Sequence, residues 1–236
     1  MNRTKIDWAD YSWNPVTGCR NGCWYCYGKK IRKRFYPDIP YGQIICHPER
    51  FEEPFRIRKP SRIFVGSVTD LFAPWMPKAY GAKAIEVAGK IPRHTFIFLT
   101  RHPYRYRYFN FPENCWLGTT ITGEENREKL ESLYREITIV NGNINFISFE
   151  PLLGATYFKE FITTGNKPCW VIIGGLTGYR HVFEKSWAEE IITHAKSLGI
   201  PIFVKKNLRF PEKIMQFPAK KILERCYGSN TEPYIR

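Results

Sequence analysis

The chain has 236 residues, 43% of them hydrophobic, and a formal charge of +14 from 36 Lys and Arg against 22 Asp and Glu. That is apolar material for one sizeable core, while no apolar run approaches the ~20 residues of a membrane span. The basic balance suits polyanionic partners, and seven cysteines are an odd number that no intrachain disulfide framework can use up. The first residues, MNRTKIDWADYSW, lack the hydrophobic stretch of a signal peptide, so the expected location is cytoplasmic, with reduced thiols and no membrane contact.

In chain order, a short strand is expected around 14–18. It leads into GCRNGCWYCYGKK (18–30), which crowds Cys19, Cys23 and Cys26 together. The stretch 35–60 is rich in proline and charge and reads as an irregular insertion around one helix. Six apolar, β-branched or aromatic runs follow, at 62–70, 94–100, 115–121, 144–150, 169–175 and 200–205. Their near-continuous apolarity is that of parallel strands covered on both faces. Between them lie amphipathic helices. Lys78–Lys90 carries Tyr80, Ala84, Val87 and Ala88 on one face. Thr122-Gly-Glu-Glu125 reads as a capping box, with Thr122 as the N-cap, before a helix with Leu130, Leu133, Tyr134 and Ile137 at core spacing. Ser186-Trp-Ala-Glu189 reads as a second box, for a helix that stops at Gly199.

Strands alternating with helices make βαβ units. The expected fold is therefore α/β, a partial or complete (β/α) barrel of six to seven parallel strands, with a doubly wound sheet as the alternative. All of 1–236 reads as one domain with a short C-terminal extension at 207–236. In either fold, ligands bind at the C-terminal ends of the strands. Those ends carry Ser67, Thr69 and Asp70; Thr100 and Arg101; Thr119, Thr120 and Thr122; Ser148 and Glu150; Gly174, Gly175 and Thr177; Lys205 and Lys206. Glu150 and Lys205 each close a very apolar strand, where a charge needs a partner or a ligand.

The cysteine spacing is Cys-x3-Cys-x2-Cys. Zinc usually takes four ligands, and Cys46 and His47 complete a set only by a long return of the chain. A redox dithiol at Cys23 and Cys26 leaves Cys19 unexplained. Three thiolates also match a [4Fe–4S] cluster with one iron left for a non-protein ligand. Cys115 and Cys169 open apolar strands and read as buried structural thiols, and Cys226 lies near a polar tail.

CRNGCWYC, with the aromatic Tyr25 just before its third cysteine, resembles the motif of the radical S-adenosylmethionine enzymes. A closer resemblance, to a phage-associated family with a radical-type core, covers almost the whole chain. It rests on Thr4–Trp8, Trp13–Cys19, Ser67–Phe72, Leu99–Arg101, Trp116–Gly118, Ser148–Gly154, Trp170–Gly175 and Phe203–Lys205. Many relatives have a longer gap between the first two cysteines and a carboxylate after the Gly-Gly pair, whereas here Leu176 follows Gly175.

The resemblance implies that Cys19, Cys23 and Cys26 hold a [4Fe–4S] cluster and that S-adenosylmethionine occupies its open iron. Electron transfer from a donor such as flavodoxin or ferredoxin would cleave the cofactor to a 5′-deoxyadenosyl radical that abstracts hydrogen from substrate. Carried over residue by residue, Tyr25 contacts the adenine, and Ser67, Thr69 and Asp70 meet the amino group of the cofactor. Thr120 and Thr122 meet the ribose, and Gly174 and Gly175 let backbone approach the adenine. Glu150 and Lys205 are the catalytic candidates, Lys205 pairing with the cofactor carboxylate or an anionic substrate group.

Two basic, aromatic stretches, Lys29–Phe35 and Arg101–Phe109, are expected near the same mouth, where cations neutralise phosphates and rings stack on bases. They point to an anionic substrate, nucleic acid or a nucleotide. A bland reading, an exposed helix face and a packed tyrosine stripe, fits the same residues equally well. A competing function is a non-catalytic nucleic-acid-binding protein stabilised by zinc or an iron–sulfur centre.

Overall fold

A computed structural model describes residues 1–140, 142–177 and 184–219. Cys226 and residues 220–236 of the expected extension lie outside them. The strands are β1 (Asn2–Arg3), β2 (Tyr11–Trp13), β3 (Val16–Thr17), β4 (Ile45–Cys46), β5 (Arg62–Val65), β6 (Thr95–Thr100), β7 (Cys115–Thr120), β8 (Ile144–Phe149), β9 (Trp170–Ile173) and β10 (Ile202–Val204). The α-helices are α1 (Tyr27–Phe35), α2 (Lys78–Gly89), α3 (Arg127–Thr138), α4 (Phe158–Phe161) and α5 (Lys185–Ser197).

Eight strands form one sheet in the order β1-β2-β5-β6-β7-β8-β9-β10, and all pairs except β1–β2 are parallel. The parallel strands follow one another in chain order, so the crossovers never reverse. That is barrel topology; a doubly wound sheet changes direction at a switch point. β1 and β10 are the two sheet edges, which leaves a partial barrel.

The pleat sorts the strands into two faces. Ile63, Val65, Phe96, Phe98, Leu117, Ile147, Phe149, Val171 and Ile173 pack outward against Ala84, Ala88, Leu130, Leu133, Ala188 and Ile191 of the helices. Phe64, Ile97, Phe146, Trp170, Ile172 and Phe203 point the other way and pack with Trp8. Trp8 meets Phe64 and Trp170 edge-on at centroid distances of 4.7 and 6.4 Å, and Phe217 covers Trp170 at 5.5 Å. These rings plug the N-terminal end of the barrel. By the same alternation Arg101, Thr120, Ser148, Glu150, Gly174 and Lys205 continue the inward rows at the other end, so the interior is apolar below and polar above.

Three expectations shift. A short strand does fall within 14–18, β3, but the first parallel strand of the sheet is β2, at residues 11–13. Pro15 has no N–H to give a ladder, and Trp13 ends the strand fully buried with its indole donating to Arg50 O at 2.7 Å. Residues 16–17 pair instead with β4, antiparallel. Helix α3 starts at Arg127, capped by Asn126, whose side chain accepts from Lys129 N at 2.9 Å; Thr122 is not its N-cap. Helix α5 starts at Lys185, ahead of Ser186, with Glu184 as N-cap, so the second box does not cap it either.

His47, His94 and His102 all have pKa values lowered from 6.5, chiefly by burial. A folded state that prefers the neutral ring binds fewer protons than the unfolded chain, so this stability is complete above about pH 6.5 and drains away below it. The melting temperature at pH 5.5 is expected to fall below that at pH 7.5; an unchanged value would show that burial of these rings is not felt energetically.

Candidate active site

The cysteine loop enters through Gly18, at φ 97°, where an added Cβ would come within 2.1 Å of Gln43 O. It is then tied to the residues after β5. Thr69 Oγ1 donates to Gly18 O at 2.6 Å, and Asn21 Nδ2 donates to Asp70 Oδ2 at 2.9 Å. Tyr41 OH donates to Val68 O at 3.2 Å and contacts Cys26 Sγ at 3.3 Å. Tyr27 OH donates to Ser67 O, while the Ser67 hydroxyl and Asn14 bond to each other at 3.1 and 3.2 Å.

Cys19, Cys23 and Cys26 are free thiols, none of them fully buried. Burial pushes the Cys19 thiol up to about 12, and nearby Asp70, Cys26 and Cys23 push in the same direction. Cys23 and Cys26 lie close enough to Cys19 to oppose its ionisation, and the three form a donor set that positive irons would satisfy. Among the described residues no three His, Cys, Asp or Glu groups converge on a single ion. A cluster makes no such demand, since each thiolate binds a different iron. The residues present therefore fit a [4Fe–4S] cluster.

Asp70 is 4% exposed, and its carboxylate accepts four hydrogen bonds, from Thr100 Oγ1 (2.7 Å), Asn21 Nδ2 (2.9 Å), Phe72 N (3.1 Å) and Arg101 N (3.1 Å). It joins the cysteine loop to the ends of β5 and β6. Arg101 lies across the loop mouth. Its Nη1 donates to Tyr25 OH and approaches Cys23 Sγ at 3.7 Å, and its Nη2 donates to Glu125 Oε1 at 3.1 Å. Burial works against the guanidinium charge, but Tyr25, Cys23 and Glu125 outweigh it and raise the Arg101 pKa. Burial also holds the Tyr25 phenol well above its ordinary range. Glu125 does reach back to Thr122 N (3.0 Å) and Gly123 N (2.9 Å), as a capping-box residue would, while the Thr122 hydroxyl donates to it at 3.0 Å. Here the motif builds a turn that holds Glu125 against Arg101.

On the far side of the mouth, Lys205 Nζ donates to Glu150 Oε1, so the two charges closing apolar strands are each other's partner. Ser148 Oγ, fully buried in the row behind Glu150, has no hydrogen-bond partner among the described residues. Gly174 sits between the charged pair, and a Cβ there would lie 3.0 Å from both Glu150 Cδ and Lys205 Cδ. Asn207 clamps the neighbouring Gly175, accepting from its N–H at 3.2 Å and donating to its carbonyl at 2.7 Å. Gly174→Ala is expected to shift melting by only a few degrees, because flexible side chains can yield, yet to displace the pair and, with the expected S-adenosylmethionine as ligand, to weaken its binding. Unchanged cofactor affinity in a titration would separate Gly174 from the site.

The strand-end rule thus brings Arg101, Thr120, Glu150, Gly174 and Lys205 to one rim with the cysteines. The hydroxyls of Ser67, Thr69 and Thr122 are engaged in holding loops. Asn21 and Asn207 carry structure at the site without having been singled out in the sequence, while Arg101, read as a strand end, and Glu125, read as a capping-box residue, turn out to be each other's partner. The two basic stretches divide. In the second, Tyr106 is buried with its hydroxyl donating to Gly118 O at 2.8 Å, and Arg107 pairs with Glu136 at 2.8 Å.

A family model described as "Protein of unknown function (DUF5131)" matches residues 3–232. No curated protein matches the chain. Solved structures of spore photoproduct lyase share the fold. A mutant with bound AdoMet and dinucleoside spore photoproduct superposes with a TM-score of 0.55 at 15% identity, covering 83% of this chain and 63% of that one. A second mutant with the dinucleoside gives 0.54 at 16%, covering 99% and 65%. A third mutant gives 0.58 at 14%, covering 86% and 78%. At these identities the likeness establishes the partial-barrel fold, and the chain spans about two thirds of the length of the first two.

Proposed function

The chain belongs to the DUF5131 family, and we propose that it is a radical S-adenosylmethionine enzyme acting on an anionic substrate, nucleic acid or a nucleotide. One observation carries the reading: three free thiols on one loop at the polar end of a partial barrel, in a fold shared with a protein whose structure holds AdoMet and a dinucleoside. When bound, a [4Fe–4S] cluster on Cys19, Cys23 and Cys26 with S-adenosylmethionine at its open iron supplies reductive cleavage of the sulfonium and hydrogen abstraction by the 5′-deoxyadenosyl radical.

The chain's own residues bind and orient. Tyr25, held by Arg101, offers a ring to the adenine, and Thr120 lies on the ribose side. Gly174 and Gly175 keep one wall of the mouth open to close approach. Lys205 gives one Nζ hydrogen to Glu150 and keeps the others for a carboxylate or phosphate. Asp70, whose oxygens already serve four donors, acts in this reading by positioning the cysteine loop and the end of β6. The aromatic plug closes the other end of the barrel to water. The formal charge of +14 and the dinucleoside held by the AdoMet-bound neighbour support a nucleic-acid substrate.

Anaerobic reconstitution with iron and sulfide tests the reading. A brown protein is expected, with broad absorption near ~400 nm that changes when S-adenosylmethionine is added. Stoichiometric zinc with no affinity for the cofactor would overturn it and favour a structural metal.

A further inference from the structure

Helix α1 is inside out. It opens directly after Cys26 and carries Tyr27, Ile31 and Phe35 at i, i+4 and i+8, one stripe on a helical surface. An ordinary amphipathic helix buries that stripe. Here only Gly28 and Arg32 are buried, while Phe35 is 64% exposed, Tyr27 42% and Ile31 40%. The packing explains how. Gly28 lies against Tyr41, where a Cβ would come within 2.3 Å of the phenol oxygen, so the helix sits down on a glycine. Arg32, 5% exposed, fills the inner side and donates through Nη2 to Gln43 O at 3.2 Å and Thr17 Oγ1 at 3.4 Å. Tyr27 is tied down at its tip, its hydroxyl donating to Ser67 O, while its ring flank, Ile31 and Phe35 face solvent, continued by Tyr36, 40% exposed.

Charge decides what covers it. Lys29, Lys30, Lys33 and Arg34 interleave with the apolar residues, and no acidic residue occurs in Tyr27–Phe35. A basic surface carrying exposed rings matches a phosphate chain with stacked bases, and the helix starts at the cysteine loop, so a strand lying along it runs to the mouth. We propose that the Tyr27–Ile31–Phe35 face of α1 is the platform on which a single-stranded segment of nucleic acid is held for the barrel mouth. This rests on the nucleic-acid reading of the substrate and deepens it.

The test is fluorescence anisotropy with the cluster-loaded full chain and a labelled oligodeoxythymidine, over a salt series. Phe35→Ala should weaken binding on the order of tenfold, the loss of about one stacked base. Lys33→Gln with Arg34→Gln should lower the slope of log affinity against log salt by ~1.4, at ~0.7 per single-strand phosphate contact. Ile139→Ala, exposed beyond the C-terminus of α3 at the plugged end, should bind as wild type. Binding by Phe35→Ala and by the charge variant at wild-type strength would overturn the platform, even if nucleic acid remained the substrate. Equal binding of an abasic strand or of polyglutamate would overturn it as well, since the face would then read charge alone. Release of 5′-deoxyadenosine by the wild-type chain without nucleic acid reads the chemistry beneath the proposal, so failure of that chemistry and failure of the platform give different results.

Discussion

Alanine at any one of Cys19, Cys23 or Cys26 is expected to reduce dithionite-driven release of 5′-deoxyadenosine to background. The three thiols lie on one loop, two residues after β5 and a tyrosine hold that loop in place, and none of the thiols is spent in a disulfide. Removing one leaves a cluster two protein ligands, and the described residues place no spare thiol beside it. Cys46 comes closest in the chain path, because β4 pairs with β3, but it stands opposite Val16 and not beside Cys19. The cost to the fold should be small, about 1 kcal/mol or less, because all three thiols are only partly buried. Buried Cys115 and Cys169 give the opposite pattern: Cys169→Ser should lower melting while leaving iron content intact. Iron content and absorption spectra read alongside melting separate the two classes. Full iron and a cofactor-induced spectral change in Cys23→Ala would sink the assignment. Loss of iron in Cys46→Ala would point to a metal held by a different set.

The two carboxylates of the mouth illustrate what a sequence can convey about such a site. Glu150 was readable because it closes an apolar strand, and a charge in that position must be answered; the answer was Lys205, which drew attention for the same reason. Strands β5 to β10 were readable because burial on both faces leaves a run with almost no polar interruption. Failures came where a local pattern served a distant partner. Thr122-x-x-Glu125 forms the reach-back of a capping box, but Arg101, 24 residues upstream of Glu125, turns it into a brace for the mouth, and the helix begins later. Arg101 meets Tyr25 across 76 residues and Cys23 across 78, a proximity that exists only once β6 stands in register beside β5. The strand expected at 14–18 exists as β3 but lies outside the large sheet, and the three residues of β2 that open the parallel run carry too little periodicity to be read. The inverted face of α1 was half visible as a basic stretch, since only packing shows that its arginine goes in and its phenylalanine out.

Asp70 is where fold and chemistry are joined most tightly, and its replacement should cost both. Its Oδ1 serves Thr100 Oγ1 and Phe72 N, and its Oδ2 serves Asn21 Nδ2 and Arg101 N. Alanine would strand two buried backbone N–H groups and release Asn21 of the cysteine loop. At ~1–3 kcal/mol for each buried donor left unsatisfied, destabilisation on the order of 3–5 kcal/mol follows, a fall in melting temperature of roughly 10 °C for a chain of this size. Asparagine keeps the shape but not the pattern. Whichever way its amide is turned, the NH2 group faces one of the two backbone N–H donors, and only the Thr100 hydroxyl can rotate to accept from it. About half the loss is therefore expected from Asp70→Asn. The thermal effect alone would describe any buried brace. A role at the site requires more: iron content and S-adenosylmethionine affinity should fall in Asp70→Asn at temperatures well below its melting point, because Asn21 lies between Cys19 and Cys23 and the Arg101 backbone is held by the same oxygen. Normal iron loading and cofactor affinity in a variant that merely melts earlier would confine Asp70 to the fold. Loss of both in a protein still folded would place the control of the cysteine loop at the end of β5, on a carboxylate that never needs to touch the cofactor.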